Sequence, residues 1–164
     1  MSAARIGTTA ALLAVVVLYA VLASRWTAQA SGWYATLPQP RWQPPDVVFG
    51  VVWPLNFGAI GVAGLAVTLE APVADGIRWL LVLSASVALA LGWAHAFYGP
   101  HDLGRAALLL GAATLLTWGL VGLTSGLVAW AGWVLVPYAG WLTVATSLAV
   151  GYWRLVPSGT RTTG

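Results

Sequence analysis

Five stretches of the chain stay apolar long enough to cross a bilayer: Ile6 to Ala23, Val47 to Leu69, Trp79 to Tyr98, Ala106 to Leu123 and Leu127 to Trp153. A hydrocarbon core of about 30 Å takes about 20 such residues in a helix. Allowing for flanking turns, the pattern predicts helices near 6–24, 46–69, 77–98, 103–123 and 127–153, in a single domain covering 1–164. Short connections make consecutive helices antiparallel neighbours. The exception is 25–45, a polar and aromatic stretch. Connections beyond about 12–15 residues are usually functional or disordered, and this one carries too many rings for disorder. The fold class expected is an all-α integral membrane protein, a five-transmembrane-helix bundle.

Composition agrees. The 164 residues are 60% hydrophobic and 7% charged, against about 25% charged in a soluble domain. Such a chain cannot cover a water-facing surface, so its surface faces lipid. A formal charge of +3, scattered along the chain, gives no footprint for nucleic acid, and the absence of cysteine excludes disulfides and thiolate metal sites. Arg5, the first apolar stretch and Ala28-Gln29-Ala30 imitate a signal peptide, but the stretch is long for that role, and it is expected to remain as a helix. Arg25, Arg41, Arg105, Arg154 and Arg161 fall on one side of the five-span pattern, Arg5 and Arg78 on the other. The positive-inside rule then places the N-terminus outside and the C-terminus and the 25–45 loop in the cytoplasm. Arginine in place of every lysine, with abundant alanine, suggests a bacterial inner membrane.

The candidate chemistry starts in "WYATLPQPRWQPPDVVFGVVWPLNFG", Trp33 to Gly58. This run resembles the signature of the TspO/MBR family through Trp33, Tyr34, Leu37, Pro40, Trp42, Pro44, Pro45, Val52 and Trp53. "VPYAGWLTVATSL" is similar to that family's last helix through Pro137, Tyr138, Trp141, Ala145 and Leu148. "LGWAHAFYG" resembles its third helix through Trp93, Phe97, Tyr98 and Gly99. The resemblance implies a usually dimeric five-helix bundle whose cytoplasm-facing pocket is covered by the first loop. It implies porphyrins, including protoporphyrin and haem, as ligands rather than required cofactors, with sterols and aromatic drugs for some members. Family members commonly carry asparagines where this chain has Ala90 and Ala149, so two intramembrane amides that would orient a ligand are missing.

The residues themselves suit a pocket for a flat molecule. Pro44 and Pro45 mark the start of the second helix, where proline is tolerated, and Asp46 sits at its positive dipole end. Trp33, Tyr34 and Trp42 offer flat faces with polar edges, suited equally to an aromatic belt or to the rim of a pocket. Trp53 precedes Pro54, which frees the Gly50 carbonyl. Asn56 is expected to repair that defect, bond a neighbouring helix or meet ligand. Tyr138, Trp141 and Ala145 share one face of the fifth helix, and Ala90, Trp93 and Phe97 one face of the third. Trp118 is the candidate from the fourth. Arg41 is the cation expected to meet an anionic group such as a propionate. His95 points away from Trp93 and Phe97, and His101 falls past the helix end, so neither is expected to ligate haem iron, and no metal site is expected. Ser84, Ala88, Gly92 and Ala96 form a small-residue ridge that would seat a homodimer.

Three functions follow as expectations. The first is binding of a porphyrin or similarly flat hydrophobic ligand for tetrapyrrole handling, sensing or transport. The second is light- and oxygen-dependent porphyrin breakdown using Trp53 and Trp141, since no acid–base pair supports conventional catalysis. The third is sterol or lipid transport, against which stands the lack of a buried charge pair in the spans.

Overall fold

The computed structural model describes residues 2–29 and 31–156, and among these residues every regular element is an α-helix. In chain order they are α1 (Ala3–Gln29), α2 (Ser31–Ala35), α3 (Asp46–Glu70), α4 (Val73–Tyr98), α5 (Leu103–Leu127) and α6 (Ala129–Leu155). All but α2 are long and apolar enough to span a membrane. Ala30 and Arg161, used above for the cleavage and orientation arguments, lie outside the described residues.

The long connection is shorter than its polarity suggested. No proline or glycine interrupts 8–29, so α1 keeps its backbone hydrogen bonds well beyond the apolar run. A further turn of helix, α2, then leaves only 36–45 irregular. Pro45 takes the cap position with Asp46 in the first turn of α3, so the proline pair precedes the helix rather than opening it.

The five long helices close into a ring in the order α1, α3, α6, α5, α4. Their outward positions carry large apolar side chains, as lipid requires: Leu108 is 77% exposed and Leu115 74%. Between helices, close packing and hydrogen bonds replace the hydrophobic drive that lipid cannot supply. The Trp79 indole, fully buried, donates to the Thr124 hydroxyl at 2.7 Å. The Ser86 and Thr117 hydroxyls meet at 2.8 Å, joining α4 to α5, and those of Thr114 and Thr146 at 2.8 Å, joining α5 to α6. Arg5 reaches from α1 to the carbonyl oxygens of Thr68, Leu69 and Ala71 and so caps the C-terminus of α3. Trp79 and Arg5 make the end of the bundle opposite α2 solid. The end beside α2 is hollow.

Candidate functional site

A cavity of about 730 Å³ opens among α1, α3, α4 and α6, beneath α2 and the segment that follows it. That volume lies within the roughly 300–1,000 Å³ usual for ligand pockets. α5 contributes nothing to its lining; it braces α4 and α6 from behind.

Each wall follows from helical spacing. Phe49, Trp53 and Phe57 stand on one face of α3 at intervals of four. Trp53 and Phe57 are near-parallel, centroids 5.7 Å apart, and Tyr19 of α1 meets both edge-on at 6.2 Å and 5.2 Å. On the adjoining helix, Trp141 of α6 lies edge-on to Phe49 at 5.3 Å. Beyond Trp141 the same face of α6 continues as Ala145, Leu148, Ala149 and Tyr152. The α4 wall is Ala90, Trp93, Ala94 and Phe97, with Tyr98 at the rim. Ala90, Ala94, Ala145 and Ala149 keep the space between the rings open.

The roof is fastened to α6. The Tyr152 hydroxyl bonds the Tyr34 hydroxyl at 3.1 Å and also donates to the Gln43 side-chain oxygen. The Trp42 indole donates to the Ser147 hydroxyl at 3.2 Å. Gly151 makes this seat possible: a Cβ there would sit 2.8 Å from Pro40 Cγ and 3.0 Å from Trp42 Cζ2. Trp33 braces the roof from outside, stacked on His101 at 3.8 Å, with His101 in the left-handed conformation (φ 57°).

Of the residues singled out in the sequence, Tyr34, Trp53, Ala90, Trp93, Phe97, Trp141 and Ala145 line the cavity. Trp33, Trp42, Tyr138, Trp118, Asn56 and Arg41 do not. Trp33 and Trp42 hold the roof. Tyr138 is buried behind Tyr19, the two hydroxyls 3.4 Å apart. Trp118 stands 43% exposed on the outside of α5 and donates to the Thr143 hydroxyl. Asn56 is buried, and its amide nitrogen has no hydrogen-bond partner, so it does not repair the Pro54 defect. Arg41 is exposed, and the charged side chain in the lining is Asp46. His95 is exposed against Trp26 and, like His101, stands outside the lining, so no imidazole is placed for axial ligation of a metalloporphyrin. Among the described residues no cluster of three or more metal-ligating side chains occurs.

The small-residue ridge of α4 is not uniformly free. Ala88 is exposed, but Gly92 faces Leu109 of α5, and Ala96 is buried within the protomer. Tyr152, not singled out in the sequence, also lines the cavity. It falls seven positions after Ala145, and that spacing was the available signal.

The TspO/MBR family model matches residues 10–154. The protein CrtK of Rhodobacter capsulatus is 34% identical over 134 residues, 76% of this chain and 79% of that protein. The human translocator protein is 32% identical over 130 residues, 74% of this chain and 73% of its own length. The tryptophan-rich sensory protein of Cereibacter sphaeroides is 32% identical over 127 residues, 75% of this chain and 76% of its own.

Proposed function

The chain belongs to the TspO/MBR family of integral membrane proteins, and from that premise we propose that it binds a porphyrin, or a similarly flat hydrophobic molecule, in the cavity under the 36–45 segment. One observation carries this reading: rings from α1, α3, α4 and α6 converge on one space with alanines between them. Aromatic faces attract a flat π-system in offset or edge-on arrangements worth about 0.5–1.5 kcal/mol each beyond area burial. The lining offers no imidazole, so stacking accounts for affinity and metal-free protoporphyrin binds as well as haem. The role is tetrapyrrole handling, sensing or transport in a bacterial cytoplasmic membrane, with the N-terminus outside and the roofed end in the cytoplasm. Titrating protoporphyrin and haem against tryptophan fluorescence tests it. Tight binding of haem alone would contradict it.

A second reading rests on Trp53 and Trp141, which face the cavity from the adjoining helices α3 and α6. Oxidisable indoles beside an illuminated porphyrin, with dissolved oxygen as the oxidant, suit light-driven breakdown of the ligand. Bleaching of bound protoporphyrin under illumination that Trp53→Phe abolishes while binding persists distinguishes this from binding alone.

A further inference from the structure

Charge is distributed unevenly around the cavity. Of the chain's four carboxylates, Asp46 alone lines it. Asp46 opens α3 on the face that continues as Phe49, Trp53 and Phe57, so it stands at the roofed end of that aromatic wall. Among the described residues its carboxylate makes no hydrogen bond and no ion pair. No described arginine lines the cavity to balance it. Arg5 is engaged with carbonyl oxygens at the far end of α3, and Arg78 pairs with Asp75 at 2.9 Å. Arg25, Arg41, Arg105 and Arg154 are exposed outside the lining. The positive end of the α3 dipole favours a carboxylate anywhere in the first turn. Only the face toward the cavity brings that charge to a ligand.

We propose that Asp46 sets the charge class of the ligand: the cavity favours a flat molecule whose polar end is cationic or neutral and discriminates against carboxylates. This rests on the binding reading above and narrows its ligand class. Low-dielectric walls concentrate the field of a single charge on an incoming group, and the walls here are mostly rings and alanines. A ligand carboxylate brought to the roofed end meets a like charge with no cation in the lining to offset it. Such a repulsive element separates ligands that are otherwise alike. An ammonium group there gains a charge-assisted hydrogen bond instead. A flat ligand without charge is held by the rings alone.

Ligands that share one ring and differ in charge test this, titrated by tryptophan quenching against the full chain in nanodiscs of zwitterionic lipid. The probes are protoporphyrin, its dimethyl ester, and its diamide ending in ammonium groups. Asp46→Asn keeps the size of an exposed side chain and removes its charge. The variant is expected to bind protoporphyrin about 3- to 10-fold more tightly and the ammonium ligand about 3- to 10-fold more weakly, with the ester within about twofold, as for a partly solvated charge pair. Each ligand is compared with itself, so its partition into lipid cancels. In the unmodified protein, added salt should likewise tighten protoporphyrin and loosen the ammonium ligand, which reads the selectivity without a variant. Affinities that Asp46→Asn leaves unchanged, or shifts alike for every probe, overturn the proposal and leave binding in place. Protoporphyrin that loosens as salt rises also overturns it, by placing a cation beside the carboxylates. No quenching by any probe in the unmodified protein would refute binding itself, and the selectivity with it.

Discussion

The Tyr152 hydroxyl of α6 lies 3.1 Å from the Tyr34 hydroxyl of α2, bonding the roof of the cavity to its far wall. The rings pack as well, with centroids 5.7 Å apart. Tyr152→Phe keeps the ring and removes the bonds to Tyr34 and Gln43. Amide exchange across residues 36–45 is expected to quicken by about 2- to 10-fold, the net worth of one or two hydrogen bonds. Unchanged exchange would mean that Pro40 and Trp42 on Gly151 hold the roof unaided.

Trp79 separates stability from binding. It is fully buried at the solid end, bonded to Thr124 and outside the cavity lining. Trp79→Phe should cost about 1–3 kcal/mol through lost volume and a lost hydrogen bond. Thermal unfolding in detergent should fall while protoporphyrin affinity holds. A parallel fall in affinity at a temperature where the variant is folded would place Trp79 in the binding machinery.

Asn56 gives the opposite sign. Its buried amide nitrogen has no partner, so Asn56→Leu removes an unpaired buried donor. Stability should be unchanged or rise by up to about 1 kcal/mol. A clear loss in a detergent melt would reveal a bonded role for the amide.

Arg41 was the cation expected to meet an anionic ligand group, yet it is exposed and outside the lining. Arg41→Ala should change protoporphyrin affinity by less than about twofold, as for exposed charges generally. A larger drop at low salt that disappears at high salt would restore the expected pairing.

How far the sequence could be read follows from what lipid does to pattern. The five spans and their antiparallel order were legible because a membrane helix must be long and apolar. Trp53, Trp141, Ala145, Trp93 and Phe97 were legible because their helical spacing coincided with a specific family motif, and Ala90 because it shares a helix face with Trp93 and Phe97. Helix rotation was not. In a soluble bundle, polar residues mark the outside face; here both lipid and core are apolar, so Trp118 on the outside of α5 and Tyr138 behind the cavity read the same as Trp141 within it. Tyr19, a single ring in the uniform run of α1, gave no sign of its orientation. Asp46 stands on the face of α3 that carries Phe49 and Trp53, whereas Gln39 enters the lining because of how the roof folds back, which no local pattern encodes.

The central claim is that a planar ligand occupies the space between the aromatic walls, and Ala145 tests it most directly because its side chain is small and faces that space. The decisive measurement is a protoporphyrin titration by tryptophan quenching, comparing the unmodified chain with Ala145→Trp at equal helicity. Saturable quenching at one ligand per chain is expected in the first, with affinity at least about tenfold weaker in the second, since overfilling a packed site costs about 1–3 kcal/mol. Equal affinity in both would mean that the porphyrin binds elsewhere.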